Sequence, residues 1–389
     1  MKVLWLASWY PNQVSPYEGD FIQRHARAVA AYSKVTVVYL SQAGETLNVY
    51  NGQFIEQEKD NVLEKIVFFK YKKTGVEWFD KIKYNIIYYK TYKKIISEYI
   101  KTDGRPDIVH VHVPMKAGMI ALWMKRRWRT PYIVSEQSSL YNRFSPGNFH
   151  QRSFLYRHNV KRVFQNAAAV TNVSAVVGDT LRMLFDLFEV KVIHNTVNTL
   201  LFNYQKHTPH KFRFIHVSTL THQKNVEGIL KAVKGLSKLR QDFELVIVGP
   251  IASELVKTIA RLNVTSLVTY TGEIGYPQVA SQMQHASAFV LFSRHENFPC
   301  VIVEALCCGL PCIATNVGGV REAVNNDNGI IVNSESEAEL IQAMAKMMNE
   351  YHKFDRSKIA EDSQKKFSYS TIGKQFYDLY RDIILKKNG

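Results

Sequence analysis

The stretch Ala288 to Glu322 constrains the fold more than any other. Ala288–Phe292 (AFVLF) is an unbroken apolar run of strand length, as a parallel strand buried on both faces requires. Ser293 to Asn297 then form a polar loop, and Pro299 suits the first turn of a helix, where no backbone N–H is needed. That helix, Cys300–Cys308, stops at Gly309-Leu310-Pro311, and Cys312–Ala314 (CIA) reads as the next strand. A strand, a helix and a second strand in this order make a βαβ unit, which commits the chain to an α/β fold with parallel pairing. Glu296 stands on the loop and Glu304 about one turn into the helix. Between them lie the unpaired amides and positive dipole end of the helix, which favour an anion. Two hydroxyl-seeking carboxylates around an anion-seeking helix end suit a ligand that carries hydroxyls, a diphosphate and more hydroxyls. A nucleotide-sugar has that order of groups. Gly318-Gly319 opens a loop where backbone can approach a ligand closely.

Taken together, Glu296 and Glu304 eight residues apart, Asn297-Phe298-Pro299, Ala305, Gly309, Pro311 and Gly318-Gly319 resemble the signature of the retaining family-4 glycosyltransferases, which have the GT-B fold. The resemblance implies an α/β protein of two Rossmann-like domains whose parallel sheets face each other across a cleft. Residues 1–198 would bind the acceptor and residues 199–369 the nucleotide-sugar, and a helix over 370–389 would cross back to the first domain. The implied reaction moves a sugar from a nucleotide-sugar, UDP by default, to a hydroxyl of a glycan or lipid-linked acceptor. Synthesis of cell-surface polysaccharide or glycolipid is the setting it suggests. The anomeric configuration would be retained, with no cofactor and no metal. Glu296 and Lys224 take the catalytic roles. Glu296 orients sugar hydroxyls, Glu304 binds the ribose, and Lys224 neutralises the departing diphosphate. Asn297, Phe298, Pro299, Cys300 and Val301 complete the donor site along the loop and the first helical turn.

The remaining site residues come from other strand ends. Phe212–Val217 reads as a strand, followed by Ser218-Thr219-Leu220-Thr221-His222-Gln223-Lys224-Asn225 and a helix to Leu239. Family members commonly carry Arg where Thr219 stands, so Thr219, Lys224 and Asn225 form a weaker diphosphate clamp that Arg294 or Arg321 could reinforce. Gly249 follows the strand Glu244–Val248, on a loop that the resemblance places by the nucleotide base. In the first half, Lys2–Ala7 is a strand, and a long loop then leads to Gly19 at the start of a helix over Asp20–Tyr32. The Gly19 amide is expected beside the donor phosphate. His110 and His112 share one face of the strand Asp107–Val113, and His112 is the one nearer the crevice. Gln137 follows the strand Tyr132–Ser135 where many members have His; it can hydrogen-bond but cannot take a proton. Asn195 belongs to a hinge-like segment, His194–Asn198. His112, Gln137 and Asn195 are the residues expected on the acceptor or sugar side.

Charge adds a second kind of evidence. The net charge is +16, and residues 1–195 hold 28 Lys and Arg against 16 Asp and Glu, so +12 falls in the first half. A phosphate-bearing partner is implied. The run Trp78–Lys101 has no Gly or Pro and reads as one helix. Trp78, Ile82, Ile86, Tyr89, Ile96 and Ile100 can share an apolar face, with Lys81, Lys83, Lys90, Lys93, Lys94 and Lys101 around it. Such a helix is either a core helix with a solvated lysine face or a peripheral contact with an anionic membrane. No RNA-binding signature is present, and nucleic acid is not an expected partner. The four cysteines, Cys300, Cys307, Cys308 and Cys312, lack metal-site spacing and read as small packing residues. There is no run of 18 apolar residues, and the opening residues read as a strand and not as a signal peptide. A cytoplasmic protein, at the inner membrane face if the helix docks there, is the expectation. Two readings compete with transfer. One is a non-catalytic basic membrane- or nucleic-acid-binding protein on the same fold. The other is a GT-B sugar-nucleotide epimerase.

Overall fold

A computed structural model describes residues 1–42, 54–71, 73–142, 147–206 and 210–388. Lys72, a basic residue just before the Trp78–Lys101 run, and Pro209, near the boundary between the two halves, lie outside them. The chain forms two compact units, Met1–His194 with Tyr369–Gly389, and Asn195–Ser368.

The first unit runs β1 (Lys2–Ala7), α1 (Asp20–Ala30), β2 (Lys34–Gln42), β3 (Phe54–Lys59), β4 (Val62–Phe69), α2 (Glu77–Asp103), β5 (Ile108–His112), α3 (Ala117–Trp128), β6 (Tyr132–Glu136), α4 (Phe154–Gln165), β7 (Ala169–Asn172), α5 (Ala175–Phe185) and β8 (Lys191–Val192). The second runs β9 (Phe212–Val217), α6 (Val226–Ser237), β10 (Phe243–Val248), α7 (Ser253–Arg261), β11 (Val268–Tyr270), α8 (Tyr276–Gln284), β12 (Ala288–Leu291), α9 (Cys300–Cys307), β13 (Cys312–Thr315), α10 (Val320–Ala323), β14 (Gly329–Val332), α11 (Glu337–Glu350) and α12 (Arg356–Phe367). A last helix, α13 (Tyr369–Asn388), belongs to the first unit.

The first sheet has the order β3-β4-β2-β1-β5-β6-β7-β8, parallel throughout except for the antiparallel β3–β4 hairpin at its edge. Residues alternate across it as the pleat demands. Leu4, Leu6, Val109 and Val111 join α2, α3, α4 and α5 in one core. Val3, Trp5, Ala7 and Ile108 join α1 and α13 in the other. Helices α1 and α13 pack closely because Gly373 has no side chain: a Cβ there would lie 2.0 Å from the Ala28 carbonyl oxygen. The hairpin is absent from the sequence reading. Its turn, Asp60-Asn61, takes left-handed φ at both residues, which suits the right-handed twist of paired strands.

Helix α2 departs from the expected apolar face. Tyr88, Tyr92, Ile96 and Tyr99 are the apolar residues it buries, whereas Trp78, Ile82 and Ile86 stand exposed. The cause is length. At 27 residues the helix spans ~40 Å, more than the ~17–20 Å of a five- or six-residue strand, so its first turns run past the sheet they would have packed on.

The second sheet is wholly parallel, in the order β11-β10-β9-β12-β13-β14. From β9 the chain steps outward through β10 to β11; from β12 it steps the other way through β13 to β14. Right-handed crossovers then put α6 and α9 on opposite faces. Helices α6, α7 and α11 share a core with Phe214, Leu245, Ile247, Val290 and Ile313, and α9 packs with α12. The reversal between β9 and β12 leaves a crevice at their carboxyl ends, the place where open α/β sheets take their ligands. The first sheet reverses in the same way between β1 and β5. Among the described residues no helix is long and apolar enough to cross a membrane.

Candidate active site

The loops after β9 and β12 meet at the reversal point of the second unit. The amide of Arg294 donates to the Gln223 carbonyl (2.8 Å), and Gln223 Nε2 donates back to the His295 carbonyl (2.7 Å). This pairing sets Lys224 Nζ 2.6 Å from Glu296 Oε1, with the two side chains only 17% and 7% exposed. Residues far apart in sequence are thus joined into one ion pair beside the start of α9. A partly buried cation and carboxylate, each still reachable from the crevice, can be separated by a ligand that offers phosphate to one and hydroxyls to the other.

The Glu296 loop is held from behind by the glycine pair. Gly318 takes φ +52, and a Cβ on it would lie 1.9 Å from the Glu296 carbonyl oxygen. The Gly319 amide donates to the Asn297 carbonyl (2.8 Å). The close approach expected here toward a ligand is therefore made to the chain's own loop. Gly249 behaves alike: at φ +147 its Cβ would meet the Ser218 carbonyl oxygen at 2.0 Å, so it seats the loop that carries Thr219. Thr219 itself is exposed, and Asn225 is buried as the cap of α6, its Oδ1 accepting from the Gly228 amide (3.3 Å). Arg294 and Arg321, considered as substitutes for a missing arginine, both have side-chain partners, and Arg294 also donates to the His222 carbonyl of the Lys224 loop. The first donates to Glu335 (2.7 Å) and the second to Asn316 (2.6 Å).

Phe298 and Pro299 are buried, and the Phe298 carbonyl accepts from Asn195 Nδ2 (2.7 Å). Asn195 thereby pins the entry to α9, which Pro299 caps. Cys300 and Val301 form its half-buried first turn, and Glu304 lies one turn on, 1% exposed. Its negative charge adds to burial in raising the Cys307 and Cys308 thiols well above the usual range. All four cysteines are free, and among the described residues no group of His, Cys, Asp and Glu gathers to hold a metal.

His216, a residue the sequence reading passed over, supports this loop. It is wholly buried, with Nδ1 at 2.8 Å from the Val290 carbonyl and Nε2 at 2.8 Å from Ser218 Oγ. Burial lowers its pKa to about 4, so the ring is neutral: Nδ1–H donates to Val290, and Nε2 accepts from the serine. Ser218 Oγ in turn accepts from the Leu220 amide (3.0 Å). A histidine beside the apolar end of a strand, two before a serine, was the available signal.

In the first unit, Gly19 caps α1 at φ +69, with Trp9 so close that a Cβ would lie 2.7 Å from its carbonyl carbon. His112 is fully buried, stacked on Trp5 (4.3 Å between ring centres) and beside His110 (4.2 Å). Neither ring nitrogen of His112 has a hydrogen-bond partner, and burial with a neighbouring histidine holds its pKa well below the ordinary value. His110 bridges Tyr380 Oη and Ser135 Oγ, both at 2.6 Å. Gln137 Nε2 lies 3.3 Å from Nδ1 of His25, whose Nε2 is 3.1 Å from the His194 carbonyl. Burial lowers His25 to about 4, so it too is neutral, and Gln137 acts as its donor. Glu136, next to Gln137, is buried and pushed up to about 7 by desolvation, with the Ser138 amide 2.6 Å from Oε1.

Comparison with known proteins agrees with this geometry. Residues 200–366 match the family described as "Glycosyl transferases group 1", and residues 91–196 match "Glycosyl transferase 4-like domain". TuaC of Bacillus subtilis, a glycosyltransferase named for teichuronic acid biosynthesis, is 24% identical over 97% of this chain and 95% of its own. N-acetyl-alpha-D-glucosaminyl L-malate synthase of Bacillus anthracis is 26% identical over 45% of this chain and 47% of its own. Among solved structures, sucrose-phosphate synthase from Thermosynechococcus elongatus superposes with TM-score 0.78 at 17% identity, covering 99% of this chain and 100% of that one. Anabaena HepE, solved with UDP, gives TM-score 0.74 at 18% identity, covering 98% and 100%. The fold is GT-B, and the chain is an enzyme of the family-4, group 1 glycosyltransferases.

Proposed function

We propose that the chain transfers a sugar, with retention of anomeric configuration, from a nucleotide-sugar to a hydroxyl of a glycan or lipid-linked acceptor. The observation that carries this reading is the Lys224–Glu296 pair at the reversal point of the second sheet, beside the start of α9. The donor diphosphate takes Lys224 and the first-turn amides of α9, which frees Glu296 to accept from sugar hydroxyls. Glu304 accepts from the ribose. UDP is the expected nucleotide, a choice supported by HepE, which has been solved with UDP and with UDP-glucose.

In the step itself, the bond from the anomeric carbon to the diphosphate oxygen breaks and a bond to the acceptor oxygen forms on the same face. The acceptor proton passes to the departing diphosphate oxygen. Lys224 and the helix dipole stabilise the negative charge that develops there. This scheme assigns no proton transfer to Gln137 and no covalent bond to Glu296. The name of TuaC supports a cell-surface polysaccharide as the product's destination. The first unit, with Gln137 and His112 near its own reversal point, takes the acceptor.

Thermal denaturation with UDP-, GDP- and ADP-sugars tests the reading. One nucleotide-sugar should raise the melting temperature and be consumed slowly with release of its nucleoside diphosphate. A chain that none of them stabilises would be a binding protein on this fold. One that interconverts two sugar nucleotides without acceptor would be an epimerase.

A further inference from the structure

Of the seventeen large apolar side chains exposed among the described residues, thirteen belong to the first unit. Six of them gather at two helix starts. Trp78, Phe79, Ile82 and Ile86 form one exposed stripe on the first turns of α2, Trp78 being 66% exposed. Phe154 and Leu155 open α4 at 76% and 67%. Both starts follow the carboxyl ends of parallel strands, in the same layer of helices, with α3 between them. They therefore share one rim of the sheet. Lys116, just before α3, fixes the near side of this rim: its Nζ donates to Tyr84 Oη (2.8 Å) and lies over the Tyr84 and Tyr88 rings.

Positive charge flanks both sites, although the first turn of α2 also carries Asp80 and Glu77, the latter paired with Lys81 at 2.6 Å. Lys81, Lys90, Lys93 and Lys94 are exposed along α2, and Arg152, His158 and Lys161 flank the start of α4, a helix without an acidic residue. The first unit as a whole carries 32 Lys and Arg against 18 Asp and Glu, net +14, and the second only +2. Aromatic and aliphatic side chains that protrude from two places on one basic rim suit an extended anionic surface into which they can insert.

We propose that this rim, the starts of α2 and α4, docks the enzyme on an anionic lipid bilayer and presents the first unit to an acceptor carried in that bilayer. The statement about the acceptor rests on the transfer reading above; the docking does not.

Co-sedimentation with phosphatidylcholine vesicles, with and without phosphatidylglycerol, at low and high salt, tests it. Wild type should bind only the anionic vesicles and be released by salt. Lys90→Glu with Lys93→Glu and Lys94→Glu should lower the partition constant about a hundredfold, at ~5-fold per lysine charge lost. Trp78→Ser with Ile82→Ser, and separately Phe154→Ser with Leu155→Ser, should each lower it about tenfold or more. These side chains lie outside the core, so melting temperatures should hold. Wild type that ignores anionic vesicles at low salt overturns the proposal, as do variants that bind like wild type. So does a wild-type dimer that Trp78→Ser with Ile82→Ser converts to monomer without vesicle binding, since the stripe would then face a second copy. The thermal shift with UDP-, GDP- and ADP-sugars, run on the same samples, separates the two readings. Shift without vesicle binding overturns only the docking, and vesicle binding without shift supports the docking while removing the transfer reading.

Discussion

Replacing Gly318 by Ala isolates the positioning of Glu296 from every other property of the site. Two costs follow. The first is conformational: φ +52 is left-handed, where an L side chain loses ~1–2 kcal/mol. The second is steric. The added Cβ would lie 1.9 Å from the Glu296 carbonyl oxygen and 2.7 Å from its carbon, where real contacts essentially never fall below 3.0 Å. The Glu296–Asn297 backbone must therefore retreat by about 1.1 Å, the difference between 3.0 and 1.9 Å. That neighbour is backbone, pinned by Gly319 and by Gln223, so no side-chain rotation can absorb the clash. A displacement of ~1 Å in a positioning residue costs on the order of a hundredfold in rate. Gly272→Ala supplies the control, since Gly272 has φ +76 and nothing within 4 Å of the added atom. Both variants should lose the conformational term in urea unfolding, but only Gly318→Ala should lose about a hundredfold in kcat/KM for donor consumption. If the two variants turn over alike, Gly318 does not position Glu296 and the account of this loop fails.

Three further outcomes follow from the same geometry. Lys224→Ala removes the cation opposite the departing diphosphate and should lower kcat/KM by about two to three powers of ten; near-normal turnover would exclude that role. Glu304→Gln should weaken UDP binding by ~1–3 kcal/mol in calorimetry, the worth of hydrogen bonds to a charged acceptor, and unchanged affinity in a folded variant would exclude ribose binding. Glu136→Gln should alter the pH dependence of stability. Its carboxyl is raised from 4.5 to about 7 by burial, so its contribution is full below pH 4.5 and is lost as pH rises through about 7, on the order of 3 kcal/mol. Relative to wild type, the variant should therefore gain up to that amount in urea unfolding as pH rises from 4.5 to about 7. It should keep the acid-side decline, because buried His25 and His216 are lowered to about 4 and lose their contribution as pH falls from 6.5 through 4. An identical profile in both proteins would show that Glu136 ionises freely.

The parts of this molecule that were legible in the sequence are the locally encoded ones. The βαβ unit from Ala288 to Ala314 announces itself through one apolar run, one proline and one glycine stop, and the structure builds it there. The hairpin Phe54–Lys59 with Val62–Phe69 was not legible because Glu64 and Lys65 interrupt its apolar pattern. They have distant partners: Tyr10 Oη and Gln23 Nε2 both donate to Glu64 at 2.7 Å, and Lys65 lies 3.8 Å from Asp103. Asp60-Asn61 could have signalled the turn. His216 was hidden for the same reason, since its value depends on the Val290 carbonyl of another strand. The split of α2 into buried tyrosines and an exposed apolar stripe depends on where the helix outruns its sheet, which periodicity does not encode.

The return of α13 to the first unit has a consequence for biosynthesis. His110 waits for the hydroxyl of Tyr380, 270 residues later, and Ile372 and Phe376 fill the same core as Trp5. The second unit, continuous from Asn195 to Ser368, leaves the ribosome complete while the amino-terminal one still lacks a wall of its interior. The usual amino-to-carboxyl order of folding during synthesis is therefore inverted. The basic amino-terminal unit stays open until α13 emerges, and a nascent chain cut short in α13 would leave that interior uncovered, as a substrate for chaperones and proteases.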